Sequence, residues 1–386
     1  MHDALPLPAA EYELRWKTFR NRLQELEIDC AVILSPESQY WLTGYDTFLG
    51  AVLPQALIFP SSDRAPTLVV WDADVAIAHQ TSIIRDIQTY RFGIDEPAGL
   101  FARLAVEKSK SPRRIGADLS SHSLPYAFGK ELISELSGVA VSDISVDLGR
   151  LRMVKTPEEL ALMRMAGQYG RLGLAAARAH AQAGLTEIEL AAEIEYAMRR
   201  AGCDYLSIPT EIASGPRSSQ GHGTPTKRRL EAGDLLHIEI GGVERRYNAV
   251  SIQSFVVPGA PPKPAARELY DLALKCLRRG LNELRPGVPA AAVEAPALEV
   301  IRQAGWGDNF KMRFGYGVGI GYPPTWLEPL KITRTSDEVL VPGTTFVLHA
   351  CLLDEDANAG VLVGGTYAIT ADGYELLSGA GDVELV

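Results

Sequence analysis

From Thr156 onward the chain lays out one order of elements twice, and few architectures accommodate that order. Thr156-Pro157-Glu158-Glu159 reads as a capping box with proline in the first helical turn. It opens an alanine-rich helix to about Ala183, which Gly184 stops. Thr186-Glu187-Ile188-Glu189 is a second capping box and starts a helix to about Ala201. An apolar hairpin follows. Alternation over residues 235–240 predicts a half-buried strand, Gly241-Gly242 and Glu244-Arg245-Arg246 a turn, and 247–257 the returning strand. The order then recurs: helices over 263–281 and 289–304, then strands over 313–320, 345–353 and 361–370. The elements repeat although the residues do not, which predicts an internally duplicated α+β domain with a cleft between its halves.

The first 150 residues read differently. A helix over 11–27 feeds a buried strand at 30–34, and strands are predicted at 51–59, 67–71 and 115–118, with a helix-like run to about Thr81 and a helix over 121–136. Helices alternating with short apolar strands indicate an α/β domain over 1–150, followed by the duplicated domain over 151–386. A length of 386 residues gives both a full core. The net charge of −10, with no long basic run, speaks against nucleic acid as a partner. No apolar run nears the roughly 18 residues of a membrane span. Four scattered cysteines without a CxxC pair suit reduced thiols, and no signal peptide is apparent, so a cytoplasmic location is expected. Gly-x-Ser-x-Gly, Walker and HExxH patterns are absent.

Candidate chemistry gathers around the first hairpin. His222 sits between Gly221 and Gly223 on a loop of small, turn-forming residues, and Glu239 lies mid-strand on the same face as His237. A loop-borne base near a strand-borne acid makes a candidate catalytic pair. Gly315, Gly317, Gly319 and Gly321 alternate, which predicts a bare strand face open to a ligand. Arg313 suits a carboxylate, and Trp326 after Pro323-Pro324 reads as an aromatic held over the cleft by a rigid loop.

Ser35-Pro-Glu-Ser38, Trp41-Leu-Thr-Gly-Tyr45, the linker Arg150-Leu-Arg-Met-Val-Lys-Thr-Pro-Glu158 and the duplicated domain together resemble the creatinase/aminopeptidase P/prolidase superfamily. The resemblance implies a pita-bread C-terminal domain. Metallopeptidases of that superfamily hold two metal ions with two aspartates, a histidine and two glutamates. Here those positions fall on Glu239, Val250, Tyr316, His349 and Gly364. Glu239 and His349 alone make a poor site, because divalent cations need several converging donors. The expectation is therefore no metal and no cofactor. Among metal-free branches, creatinase uses a histidine at the place of His222. Tyr40-Trp-Leu-Thr-Gly-Tyr-Asp46, the 238–247 hairpin and Arg313-Phe-Gly-Tyr-Gly-Val-Gly-Ile-Gly-Tyr-Pro-Pro-Thr-Trp326 are most similar to ectoine hydrolase. Thr47-Phe-Leu-Gly50 and Gly364 depart from that branch at pocket positions.

What the resemblance implies is a metal-independent hydrolase cleaving a C–N bond in a small cyclic amidine, guanidino or amide compound. His222 is its nucleophile or general base, and Glu239 orients His222 or binds the substrate cation. Tyr316, His349, Arg313, Tyr247 and Trp326 are expected at the substrate. Asp46 and Phe48 of the N-terminal domain are expected to close the partner's pocket in a homodimer. A non-catalytic small-molecule binder and a metal-dependent Xaa-Pro peptidase with altered ligands stand as the alternatives.

Overall fold

Strands with unbroken apolar runs need cover on both faces, and helices supply it. The computed structural model describes residues 5–110 and 112–379, which divide between Arg152 and Met153 into two compact units. The N-terminal unit contains α1 (Ala9–Glu25), β1 (Cys30–Ile33), α2 (Pro36–Thr43), β2 (Ala56–Pro60), β3 (Thr67–Trp71) and α3 (Val75–Thr81). It continues with β4 (Asp86–Tyr90), α4 (Pro97–Ser109), β5 (Arg114–Ala117), α5 (Tyr126–Glu135), β6 (Ala140–Asp143) and α6 (Ser145–Met153). Its six strands form one mixed sheet in the order β4-β3-β2-β1-β5-β6. Two expected boundaries move. Residues 48–51 form a 3-10 turn, capped by the Thr47 hydroxyl accepting from Leu49 N at 3.2 Å, so β2 starts only at Ala56. The expected helix over 121–136 begins at Tyr126, because Ser121 is used in a turn and Pro125 takes the N-cap.

The second unit holds α7 (Pro157–His180), α8 (Glu187–Arg200), β7 (Glu211–Ser214), β8 (Leu235–Glu244), β9 (Tyr247–Val256), α9 (Pro264–Leu281) and α10 (Ala290–Gln303). It ends with β10 (Gly315–Tyr322), β11 (Thr325–Ile332), β12 (Thr345–Asp354), β13 (Ala359–Ile369) and β14 (Tyr374–Gly379). Both capping boxes form: Thr156 N donates to Glu159 Oε2 at 2.9 Å, and Thr186 N to Glu189 Oε2 at 2.8 Å. The strands make one antiparallel sheet, β11-β10-β12-β13-β9-β8-β7, with β14 on β13. A bridge from Ile320 to Tyr247 also joins β10 to β9, so β9, β13, β12 and β10 curl into a ring at that end. Each helix pair covers its own core. Leu190, Ile194, Ile238 and Ile240 belong to one, and Leu269, Val293, Phe314 and Phe346 to the other.

The hairpin departs from expectation in two ways. Gly241-Gly242 is not a turn: β8 runs through both to Glu244. A Cβ at Gly242 would lie 1.9 Å from the Ala166 carbonyl oxygen of α7, so glycine here serves close helix–sheet packing. β8 is also buried on both faces up to Val243 rather than half-buried, because helices cover one face and loop and cavity residues the other. The turn is Arg245-Arg246, with φ of +47° and +67°, the backbone hand that a two-residue hairpin favours. Arginine is held there by Asp204, whose carboxylate accepts from Arg245 N at 2.6 Å, and by the Tyr205 and Tyr322 rings at 3.8 and 4.4 Å from the Arg246 guanidinium carbon.

Candidate active site

The short edge strand β7 pairs with β8 so that Glu211 lies directly opposite Glu239. After Ser214 the chain makes a 3-10 turn over Gly215–Ser219 and then carries His222 past the end of β7. One buried carboxylate ties this loop down. Glu187, the first helical residue of α8, accepts from Ser214 N at 3.0 Å, Ser214 Oγ at 2.7 Å, Thr226 N at 2.9 Å and Thr226 Oγ1 at 2.7 Å. It also pairs with the Arg217 guanidinium. Ile212 N donates to the Gly223 carbonyl at 2.8 Å, and a Cβ on Gly223 would come within 2.9 Å of Ala213 Cβ. His222 is thus exposed and held at φ +59° between fixed neighbours.

The loop borders a cavity of about 330 Å³. His222, Glu239, Arg313, Tyr316, Trp326 and His349 all line it, so the structure brings these six anticipated residues together. Glu211 and Lys311 join them, and neither stood out in the sequence. The signal for Glu211 was weak: one acid in Thr210-Glu211-Ile212-Ala213, a strand too short to show a period. Its significance comes only from the register that sets it against Glu239.

The two carboxyls dominate the electrostatics. Glu211 is pushed well above the ordinary carboxylate range by burial and by the Glu239 charge. Glu239 is raised by burial, partly offset by the Tyr316 hydroxyl and the Arg313 charge. Like charges this close favour retention of one proton between them. Tyr316 donates to Glu239 Oε1 at 2.9 Å, and its own phenol is raised by burial and by that carboxyl. No hydrogen bond links Glu239 to His222 among the described residues, so the expected orienting contact is replaced by the Tyr316 bond. His349 stands edge-on to Tyr316, with ring centroids 5.6 Å apart. Burial, Arg313 and His222 lower it to about 3, so it is a neutral imidazole. His237 shares the strand face with Glu239 but is fully buried, and burial lowers it to about 4.

Three expectations fail on geometry. Tyr247 does not line the cavity: it is fully buried and donates to Glu159 Oε1 at 2.7 Å, tying the hairpin to the capping box of α7. Trp326 is not on a loop but in β11, 2 % exposed, and its ring fills the space over Gly241. The glycine-bare face of β10 is not open to a ligand. Cβ atoms there would meet Val347 O at 2.3 Å, Leu330 Cβ at 2.9 Å, Lys155 Nζ at 2.6 Å and Asn248 Nδ2 at 2.7 Å, at Gly315, Gly317, Gly319 and Gly321 in turn. The protein's own strands and the buried Lys155–Glu328 pair occupy that side. Asp46 and Phe48 belong to the N-terminal unit, where Asp46 N donates to Thr81 Oγ1 at 3.1 Å and Phe48 is exposed.

Residues 161–371 match the metallopeptidase family M24, and residues 15–154 match the creatinase/prolidase N-terminal domain. The chain belongs to metallopeptidase family M24. It is 27 % identical over 381 residues to an uncharacterized hydrolase/peptidase of Sinorhizobium fredii, covering 96 % of this chain and 95 % of that one. It is 28 % identical over 357 residues to the Xaa-Pro dipeptidase of Pyrococcus furiosus, covering 92 % and 95 %. The solved prolidase of Thermococcus sibiricus superposes with a TM-score of 0.86 at 22 % identity, covering 97 % and 98 %. The second unit is accordingly a pita-bread domain of α+β class, and the activity that M24 membership supports is hydrolysis.

At two positions where the resemblance implies metal ligands, Val250 and Gly364, the residues present do not fit a metal pair. Val250 offers no donor atom, and its N–H is taken by Thr366 Oγ1 at 2.7 Å. Gly364 lies opposite His349 in the β12–β13 register. A Cβ there would sit 2.3 Å from Leu348 O and 2.7 Å from His349 Cβ, so the strands have closed where a glutamate would project. Among the described residues, no group of three or more His, Cys, Asp or Glu side chains is placed to hold a metal ion. No helix among them is long and apolar enough to cross a membrane.

Proposed function

We propose that this chain is a metal-independent hydrolase opening a C–N bond at the amidine, guanidine or amide carbon of a small zwitterionic compound, as in ring opening of a cyclic amidine of the ectoine type. The observation that carries this reading is the Glu211–Glu239 pair with Tyr316 on one carboxyl; the resemblance, which implies metal-ligand positions at Val250 and Gly364, supports it. Two carboxyls sharing one proton keep one negative charge, which suits an amidinium. Arg313 suits a carboxylate on the same compound. His222 acts as general base or nucleophile. As base it takes a proton from water while the water oxygen bonds to the amidine carbon; the C–N bond breaks, the carboxyl pair protonates the leaving nitrogen, and the proton held by His222 is then returned to the pair, restoring both groups. One water is consumed. Tyr316, Trp326 and His349 wall the substrate, and in a homodimer Asp46 and Phe48 would approach the partner's cavity.

A second reading is an Xaa-Pro dipeptidase with altered ligands, favoured by the 28 % likeness to the dipeptidase of Pyrococcus furiosus. One experiment separates the two. The protein is stripped with chelator, divided into metal-free and Mn²⁺-supplemented samples, and offered ectoine, 5-hydroxyectoine, creatine, lactams and Xaa-Pro dipeptides, with products followed by mass spectrometry. Amidine, guanidine or lactam turnover that survives chelation and is lost in His222→Ala supports the first reading. Dipeptide turnover only with metal overturns it in favour of the second.

A further inference from the structure

His349 Nδ1 and Cys351 Sγ are 2.8 Å apart, both on the same face of β12 and both buried. Only one of the two groups supplies the proton between them. Burial holds Cys351 well above its ordinary range, and Glu239 and Glu211 push it the same way, so it is a thiol with a hydrogen to place. Cys351 is not part of the cavity lining, whereas His349 is. The other ring nitrogen, Nε2, is buried, with no hydrogen-bond partner among the described residues. A neutral imidazole whose Nδ1 accepts must carry its hydrogen on Nε2. A buried N–H without a partner costs free energy unless something else accepts from it.

We propose that Cys351 is a positioning residue that fixes His349 as the Nε2–H tautomer, making it a neutral hydrogen-bond donor which, with Arg313, holds an anionic oxygen of the ligand on the cavity wall away from Glu211. Arg313 fits this partnership: its guanidinium carbon lies 4.8 Å from the centroid of the Tyr316 ring, which also faces His349, and it forms no ion pair among the described residues. Glu211 and Glu239, on the paired strands β7 and β8, then take positive charge. The inference rests on this cavity being the ligand site, as proposed above, but not on any particular turnover.

The test uses full-length protein with ¹⁵N-labelled histidine and acetate as the minimal carboxylate probe. His349 is assigned by loss of its signals in His349→Gln. In the parent, the two-bond ¹H–¹⁵N pattern should show a protonated Nε2 and an unprotonated Nδ1, and acetate should shift the Nε2 signal. Cys351→Ser keeps a donor and should retain both properties. Cys351→Ala should give mixed tautomers and weaken acetate by about three- to tenfold, the range of one modest hydrogen bond. An Nδ1–H tautomer in the parent, no response of His349 to acetate, or an unchanged tautomer and affinity in Cys351→Ala would each overturn the proposal. Failure of every amidine in the turnover screen would leave these signals untouched, so the two ideas fail separately.

Discussion

Replacing Glu187 tests how the His222 loop is held. Its carboxylate is fully buried and accepts two backbone N–H groups, two hydroxyls and the Arg217 guanidinium. In Glu187→Ala the hydroxyls can turn elsewhere, and Arg217 keeps 20 % side-chain exposure, so its share shrinks toward the surface-pair range. The buried Ser214 amide has no such escape, while the Thr226 amide is only half-buried, and an unmatched buried donor costs about 1–3 kcal/mol. With the lost pairing of a buried charge, the total is about 3–4 kcal/mol. Glu187→Gln keeps the shape but turns an NH₂ toward donors, and should lose about half as much. The assay is denaturant unfolding of the C-terminal unit, read as a lower midpoint at unchanged slope. Hydrogen exchange at Ser214, Thr226 and the loop between them should speed up in both variants. A midpoint shift worth less than about 0.5 kcal/mol in the alanine variant, with loop exchange unchanged, would refute the view that this residue anchors His222.

The carboxyl pair gives the enzyme a stability profile with a definite sign. Glu211 and Glu239 face Tyr316, Arg313, Lys311, His222 and His349 across the cavity. Both folded-state pKa values are raised, so their contribution is fully present below the unfolded glutamate value of about 4.3 and is lost as pH rises through the raised values. Glu211→Gln should flatten that alkaline decline in thermal-melt midpoints taken across pH, and a decline as steep as the parent's would contradict the shared proton. Gly242→Ala should destabilise the second unit by about 3 kcal/mol or more, because its Cβ meets a backbone oxygen that side-chain rotation cannot move. Thermal melts decide it, and a near-neutral result would mean α7 can slide along the hairpin.

Much of this architecture was legible because it is written in local signals. The Thr156 and Thr186 boxes fix two helix starts through contacts three residues apart, and the Arg245-Arg246 turn sits where polar residues interrupt an apolar pattern. β4, β6, β7, β11 and β14 escaped notice: a short edge strand such as Asp86–Tyr90, Ala140–Asp143 or Glu211–Ser214 carries too few residues to display a period, and β11 hides behind Pro323-Pro324. At the site, His222 was visible from its glycine flanks, and Tyr316 and His349 only through family resemblance. Glu211 and Cys351 gain meaning solely from what lies beside them in space, one by cross-strand register and the other by sharing a strand face with His349. Tyr247 misled for the opposite reason: a hairpin tyrosine looks the same in sequence whether its hydroxyl meets a ligand or a helix cap.

The closure of β12 and β13 around Gly364 bears on how this scaffold can be altered. A designer wishing to install a dinuclear metal centre would write Val250→Asp, Gly364→Glu and Tyr316→His and expect five donors. The third and first changes alter only side chains, but the second asks the main chain of two hydrogen-bonded strands to part. The route from this cavity to a metal centre therefore passes through a rearranged sheet, so donor substitutions made singly should yield damaged protein rather than a partly loaded enzyme.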